Sequence, residues 1–298
     1  MSDTEQAASA AVPPVRTLAV IGAGSMGHGI AQTAALAGIT TILHDVDQPA
    51  VDRGLAGIEA GLARMVARGR LSADERDATL GRLQGATDLQ AAADADAVIE
   101  AAPEQLALKQ EIFARVDALC ERAIFLASNT SSLSLQAIAA STARPERVLG
   151  LHYFNPAQVL PLVEVVSPLT VDPAAVDAAE AYCLATGKTP IRVQDTPAFV
   201  VNRLFVPFAL DAIRLLESGV ASAEDIDRAC QLGVSHKMGP LATCDLSGLD
   251  VLLDVADAMR AETGDARWNA PTLLRRLVSA GRLGRKTGRG IFDYSEVG

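Results

Sequence analysis

The stretch Thr17-Leu-Ala-Val-Ile-Gly-Ala-Gly-Ser-Met-Gly27 predicts the fold of the first part of the chain. Its apolar residues 17–21 have the pattern of a buried strand, and residues 25–38 have helical periodicity with Gly38 as a natural end. The turn between them is G-x-G-x-x-G. In such a turn the first glycine permits a tight bend, the second lets the backbone approach a pyrophosphate, and the third lets helix and strand pack closely. Because the N–H groups at the start of a helix bind anions, this stretch predicts a dinucleotide-binding turn.

Asp45 supports that prediction. It follows a second apolar strand, residues 39–44, roughly 20 residues beyond the glycines, where a carboxylate accepts hydrogen bonds from a ribose 2′-hydroxyl and repels a 2′-phosphate. The alternative is a glycine turn with an acid that caps a helix, but the strand–turn–helix context favours binding of NAD. The residues predicted to contact the coenzyme here are Gly22, Gly24, Ser25, Met26, Gly27 and Asp45.

The rest of the chain falls into two parts. Strand and helix patterns alternate up to residue 193, which predicts an α/β, Rossmann-type doubly wound sheet. Four helical patterns follow, and residues 291–294 are the one possible strand among them, which predicts an all-α C-terminal domain. The predicted divisions are a flexible tail at 1–16, an NAD-binding Rossmann domain at 17–195 and a helical domain for substrate binding and dimerisation at 196–298.

Composition excludes several classes of protein. The chain has 298 residues, 49% of them hydrophobic, and 26 basic against 36 acidic residues give it a net charge of −10. This acidity argues against nonspecific binding to nucleic acid or to an anionic membrane, and no apolar run approaches the roughly 20 residues that span a bilayer. Residues 1–16 do not resemble a signal peptide, and the cysteines follow no metal-ligand spacing, so we expect reduced thiols, no metal and a cytoplasmic protein. Those cysteines are Cys120, Cys183, Cys230 and Cys244.

A histidine and a glutamate are candidate residues for proton transfer. His152 and Glu164 lie on consecutive strand patterns joined by a short loop that contains Pro156 and Pro161. Adjacent strand ends could bring the carboxylate within hydrogen-bond reach of the imidazole, which needs such an acceptor to fix its tautomer and to stabilise its charged form. The alternative from these residues alone is a histidine that is simply a satisfied member of an apolar core.

Together these segments resemble the L-3-hydroxyacyl-CoA dehydrogenase family, and its short single-function 3-hydroxybutyryl-CoA dehydrogenases in particular. The resemblance covers residues 17–294 and implies NAD-dependent oxidation of a short (S)-3-hydroxyacyl-CoA to the 3-ketoacyl-CoA, together with the reverse reduction. Besides the glycine turn, it rests on the motifs Val98–Glu104, Ser128–Leu133, Gly150–Pro156, Asp195–Arg203, Met238–Pro240 and Gly284–Gly290.

The resemblance also implies roles for individual residues. It makes His152 the general base, Glu164 its partner carboxylate, Ser131 a hydrogen-bond donor to the substrate oxygen, and Asn202 a residue that helps to place the histidine and the reacting group. Ser131 could instead be a helix cap and Asn202 a hydrogen-bonding group at a helix start. The residues expected from the family to make further coenzyme contacts are Glu104, Lys109 and Asn129, of which Lys109 could also lie on a solvated face.

The chain departs from the common family pattern in its second half. Ala198 replaces a glycine, Lys237 replaces a proline, and Cys244 with Ser247 replaces more apolar residues, which leaves the acyl preference open. Residues 266–292 carry seven cations and no acid, so they form either a solvated face or a contact for an anionic substrate handle or another subunit. A second candidate contact for the phosphates of coenzyme A is the set Arg64, Arg68 and Arg70.

Three rival functions stay open at this level. The same chemistry could act on a hydroxyacyl group held by an acyl carrier protein, which the altered region around Lys237 motivates. A sugar-acid dehydrogenase of the crystallin-related branch shares the fold and the catalytic set. A non-catalytic NAD-binding protein is the third. The family pattern and the largely apolar helix predicted at residues 199–217 also lead us to expect a homodimer formed through the helical domain.

Overall fold

The structure is a computed structural model that describes residues 14–295. Most of the predicted flexible tail, residues 1–13, therefore lies outside the described residues, as do residues 296–298. The chain forms two compact units that divide between Asp195 and Thr196. Each unit has its own hydrophobic core, which is the property that defines a folding domain.

The first unit contains one eight-stranded sheet with the strand order β3-β2-β1-β4-β5-β6-β7-β8. Its strands are Thr17–Ile21 (β1), Thr40–His44 (β2), Leu83–Ala86 (β3), Ala97–Glu100 (β4), Phe125–Ser128 (β5), Val148–Tyr153 (β6), Leu162–Ser167 (β7) and Thr189–Gln194 (β8). Its helices are Ser25–Leu36 (α1), Gln48–Ala67 (α2), Ala73–Leu80 (α3), Leu106–Leu119 (α4), Leu135–Ala139 (α5) and Pro173–Ala185 (α6). The predicted Rossmann-type sheet is confirmed.

The central strands are buried along their whole length because helices flank the sheet. Every residue of β4, β5 and β6 is buried, which explains why these strands have continuous apolar runs rather than alternating patterns. Strand β3 was not predicted, since its sequence Leu-Gln-Gly-Ala is short, only partly buried and poor in β-branched residues. A capping box of Ser72 and Glu75 begins α3.

One pair of neighbouring strands runs in opposite directions. Among the described residues every strand pair is parallel except β6 with β7, where His152 lies directly opposite Glu164. The carboxyl ends of β1, β4, β5 and β6 consequently meet at one edge of the sheet, and β7 begins at that same edge. The glycine turn, Glu104 and Ser131, which follow β1, β4 and β5, are thereby brought to the same edge as His152, which lies near the end of β6.

The second unit is helical. Its core lies on the buried faces of five helices, which include buried Leu210, Leu241 and Met259. These helices are Val201–Glu217 (α7), Ala223–Gly233 (α8), Pro240–Ser247 (α9), Leu249–Thr263 (α10) and Thr272–Ser279 (α11). Helix α9 was not predicted, because it has only eight residues and begins at a proline.

The possible strand at residues 291–294 was wrong. This segment makes only an isolated bridge, between Arg289 and Asp293. The buried carboxylate of Asp245 accepts hydrogen bonds from the N–H groups of Ile291 and Phe292 at 2.9 and 2.8 Å. Because a side chain occupies these two backbone donors, no neighbouring strand is needed to pair them.

The described residues lack two features that would bear on function, a membrane-spanning helix and a metal-binding cluster. No helix within residues 14–295 is long and apolar enough to cross a membrane. The same residues contain no cluster of His, Cys, Asp and Glu side chains with the arrangement of a metal site.

Candidate active site

The glycine turn has the geometry that each of its glycines predicts. Gly22 has φ +108°, and a Cβ atom there would lie 2.6 Å from the Ala101 carbonyl oxygen. A Cβ at Gly27 would lie 1.7 Å from the Gly22 oxygen, so only glycine lets α1 approach β1 this closely. Nothing lies within 4 Å of the corresponding position at Gly24. The turn therefore has open space at the glycine where a pyrophosphate would approach.

Asp45 is tied to this turn. Its Oδ2 accepts a hydrogen bond of 2.9 Å from the Ala23 N–H, which fixes the carboxylate beside the glycines. The turn opens on a cavity of about 850 Å³ that Ser25, Met26 and Asp45 also line. The open glycine, the helix start and this carboxylate fit a dinucleotide, and together these residues are the ones that would hold NAD. Arg53 and Arg115 line the same cavity and were missed, since on their helices they have only the pattern of solvated cations.

The predicted pairing of His152 with Glu164 is present in the structure. Their register on β6 and β7 brings Nδ1 of the imidazole to 2.6 Å from Oε2 of the carboxylate. The side chains are 7% and 0% exposed, and the Phe154 ring lies 4.5 Å from the imidazole. Because a carboxylate can only accept, the Nδ1–H donates and Nε2 is left as the basic nitrogen.

The loop that carries Ser131 is organised by the carboxylate of Glu104. Oε1 of Glu104 accepts hydrogen bonds from the Thr130 hydroxyl at 2.5 Å, the Ser131 N–H at 3.0 Å and the Ser132 N–H at 3.3 Å. Burial by itself would raise the pKa of Glu104, but the Lys109 ammonium and these hydrogen bonds hold that pKa below its usual value. Glu104 is therefore an anion at neutral pH, and its charge positions the backbone of Ser131.

Lys109 connects Glu104 to a second, fully buried carboxylate. The Lys109 side chain is 1% exposed, and its Nζ lies 2.6 Å from Oε1 of Glu100 and 3.4 Å from Oε2 of Glu104. The other oxygen of Glu100 accepts a hydrogen bond of 2.6 Å from the Ser128 hydroxyl. The network therefore joins the end of β4 to the end of β5, where the Ser131 loop begins. Glu100 was missed because it is the single charge at the end of an apolar strand pattern.

The remaining predicted residues lie in different places. The Asn129 side-chain oxygen accepts a 3.0 Å hydrogen bond from the Tyr153 N–H, which ties the Ser131 loop to the end of the histidine strand. Lys109 is not on a solvated face, and its contact with the coenzyme stays a prediction. Asn202 lies on α7 in the second unit, and its role likewise stays a prediction from the resemblance.

The sequence departure at Ala198 puts an alanine where the backbone conformation favours glycine. Ala198 has φ +62°, in the left-handed region that glycine adopts without strain and alanine does not. The family's glycine is therefore the residue that this conformation favours, and the alanine methyl group here is buried in the core of the second unit.

Four of the seven cations of residues 266–292 form ion pairs with acids outside this segment. The ion pairs are Arg267 with Asp265, Arg275 with Asp257, Lys286 with Asp250 and Arg289 with Asp293. This pairing weakens the segment as a contact for an anionic handle, since each acid offsets one of its positive charges.

The buried pair of Lys109 and Glu100 yields a stability prediction. Lys109→Met should lower the free energy of unfolding by about 3–5 kcal/mol, because it leaves a buried carboxylate without its cation. The double variant Glu100→Gln with Lys109→Met should recover part of that loss. Arg122→Met is the matched control, because its pair with Asp96 is exposed and should be worth less than about 1 kcal/mol. Equal losses in Lys109→Met and Arg122→Met, measured by urea unfolding, would contradict the assignment.

Comparisons with known proteins identify the family of the chain. The family models described as 3-hydroxyacyl-CoA dehydrogenase, NAD binding domain and C-terminal domain match residues 17–196 and 199–294. A 3-hydroxybutyryl-CoA dehydrogenase of Mycobacterium tuberculosis is 44% identical over 94% of this chain and 99% of its own. The 3-hydroxyadipyl-CoA dehydrogenase of Escherichia coli is also 44% identical, over 94% of this chain and 59% of its own.

A solved structure extends the likeness to the backbone. The crystal structure of (S)-3-hydroxybutyryl-CoA dehydrogenase from Ralstonia eutropha matches with a TM-score of 0.89 at 40% identity, over 95% of this chain and 100% of that one. The chain therefore belongs to the 3-hydroxyacyl-CoA dehydrogenase family and is an NAD-dependent oxidoreductase.

Proposed function

We propose that this protein oxidises short (S)-3-hydroxyacyl-CoA esters, of the size of 3-hydroxybutyryl-CoA, to 3-ketoacyl-CoA, and catalyses the reverse reduction. The observation that carries the proposal is the buried pair of His152 and Glu164, which lies at the same sheet edge as the dinucleotide turn. A base that faces a nicotinamide coenzyme is what the oxidation of an alcohol requires. Relatives named for CoA esters support this substrate class over the carrier-protein and sugar-acid alternatives.

In this proposal His152 moves the proton. Its Nε2 takes the proton of the substrate 3-hydroxyl as the O–H bond breaks, and the carbon–oxygen double bond forms at C3. Glu164 then faces an imidazolium whose charge it stabilises through the Nδ1–H. NAD, when bound, supplies the acceptor for the hydride that leaves C3. In the reverse direction the imidazolium returns the proton to the oxygen.

Ser131 and Asn202 are proposed to stabilise the negative charge that develops on the substrate oxygen. A hydroxyl and an amide that donate hydrogen bonds to such an oxygen lower the barrier, provided that they are positioned before the reaction. For Ser131 the support is the Glu104 carboxylate, which holds the serine's N–H. Asn202 is proposed on the family pattern, as are coenzyme contacts by Glu104, Lys109 and Asn129.

We further propose that the first unit is the NAD-binding domain and that the second serves substrate binding and dimerisation. The division after residue 195 and the two family matches support this assignment. Arg64 on α2 and Arg68 and Arg70 just after it are exposed, so they are our proposed contact for the phosphates of coenzyme A. We propose a role in fatty acid metabolism because the proposed substrates are CoA esters. We also propose a cytoplasmic location, which the free cysteines support.

The substrate proposal has a direct test. NADH oxidation with acetoacetyl-CoA should be fast, and both the pantetheine ester and the acyl carrier protein ester of the same acyl group should be poorer substrates, because neither offers the nucleotide phosphates to the arginines. Oxidation with NAD should be selective for the (S)-3-hydroxybutyryl ester. Faster turnover of the carrier-protein ester would favour that rival, and absence of turnover with every hydroxyacyl ester would overturn the function.

The role of His152 has its own test. His152→Gln should fold and bind NADH like the wild type, because the glutamine is polar and of similar size. It should lose about 10²–10⁴-fold in kcat, the usual contribution of a general base. NADH binding is measured by fluorescence and kcat by steady-state kinetics. Wild-type kcat in this variant would show that the proton leaves by another route.

Homodimerisation is proposed through α7. Leu204, Phe208 and Leu215 lie on one face of this helix and are 71%, 37% and 44% exposed. The His236 ring lies 5.6 Å from the Phe208 ring, and nearby Leu232 is 79% exposed. A row of exposed large apolar side chains of this kind is typical of a subunit interface.

The dimer proposal predicts the sedimenting mass of the wild type and of a variant on α7. The wild type should sediment as a dimer at micromolar concentration, and Leu204→Glu should shift it towards monomer because the charge would be buried in the interface. Leu169→Glu is the control, since Leu169 is 93% exposed in the first unit and should leave the dimer intact. A wild-type monomer would rule the interface out.

A further inference from the structure

Lys188 is a buried cation that the proposed reaction does not use. It precedes β8, is 7% exposed, and its Nζ donates hydrogen bonds to the carbonyl oxygens of Ala157 at 2.5 Å and Leu160 at 2.9 Å. Burial lowers its pKa. None of the ion pairs among residues 14–295 involves Lys188, and its hydrogen bonds within these residues go to the two backbone carbonyls.

Both carbonyls belong to the loop of residues 154–161, which joins the histidine strand β6 to the glutamate strand β7. Within this loop the N–H groups of Val159 and Leu160 donate to the Pro156 oxygen at 2.9 and 3.1 Å. The next carbonyl, that of Pro161, accepts a 2.8 Å hydrogen bond from the N–H of Thr189, the residue after Lys188. The chain at 188–189 therefore holds the loop at three carbonyl groups.

The same loop packs against the helix that begins at the dinucleotide turn. A Cβ atom at Gly29 on α1 would lie 3.2 Å from the Cβ of Ala157 and 2.5 Å from Oε1 of Gln158. Ala157 itself is fully buried in the core of the first unit. The position of the loop thus affects two parts of the site, namely the alignment of His152 with Glu164 and the packing on α1.

We propose that Lys188 is a positioning residue for the reaction, whose buried ammonium holds the 154–161 loop on α1 and so keeps the imidazole and its carboxylate aligned with the dinucleotide turn. This inference rests on the proposed function for its kinetic consequence but not for its structural one. A methionine would fill the same space without the cost of burying a charge, and would leave the carbonyls of Ala157 and Leu160 without this donor.

The test compares Lys188→Met with Arg192→Met. Arg192 lies on β8, the strand that follows Lys188, but its side chain is 54% exposed and pairs with Asp177 and Glu180 on the surface, so its loss should leave turnover unchanged. In Lys188→Met, kcat with acetoacetyl-CoA, counted per NADH-binding site, should fall by about tenfold or more. The Kd of NADH and the KM of the ester should change by less than about threefold, since the groups that bind them stay in place.

A residue that only stabilises the fold would lower Tm and the yield of binding-competent protein, yet leave kcat per NADH-binding site at the wild-type value. That result would overturn the proposal. If Lys188→Met is insoluble, Lys188→Leu, which also removes the N–H donors, is judged by the same criteria.

Hydrogen exchange separates this inference from the proposed function. Amides in the peptide 154–161 should exchange about tenfold or more faster in Lys188→Met than in Arg192→Met, whether or not any substrate turns over. If the wild type were inactive but this difference in exchange were observed, the substrate proposal would be contradicted and the role of Lys188 in holding the loop would be retained. Unchanged exchange in the loop would contradict the proposal that Lys188 holds it.

Discussion

The reversal of chain direction between β6 and β7 is the constraint on which the site depends. All other described neighbours in the sheet are parallel, and in a parallel sheet the chain must cross back before the next strand begins. The antiparallel pair avoids that crossover, so His152 and Glu164 are only 12 residues apart and directly opposite in register. A 2.6 Å hydrogen bond between two buried groups is formed by the strand ladder itself, and the dinucleotide turn lies at the same edge because β1 ends there.

Several charged side chains of the first unit are buried. Glu100 and Lys109 form a buried ion pair, whereas the Lys188 ammonium donates hydrogen bonds to backbone carbonyls. Burial of an ion is costly unless every lone pair and proton has a partner, and groups satisfied in this way fix their neighbours more sharply than apolar packing does. Loops that would otherwise be mobile at the end of a sheet are consequently held by backbone contacts to charged side chains.

The sequence predicted those features whose cause is local. Gly22 and Gly27 were identified because the turn needs a tight bend and close packing at these positions, and the helix patterns and the change to a helical second half follow from short-range periodicity. Glu100, Arg53 and Lys188 were missed because their importance arises from contacts between segments distant in the chain. Strand β3 and the bridge at 291–294 were misjudged for a related reason, since pairing partners decided them more than their own residues did.

The ladder between β6 and β7 also limits how this part of the site can change in length. A slip of one residue in either strand would put Val163 or Val165 opposite His152 and turn Glu164 to the other face of the sheet, so insertions within the strands destroy the pair. In the connecting loop the carbonyls of Ala157 and Leu160 are held, and between them Val159 is 67% exposed. Length variation that spares the histidine and glutamate is therefore confined to a few positions around Val159, where added residues would extend into solvent.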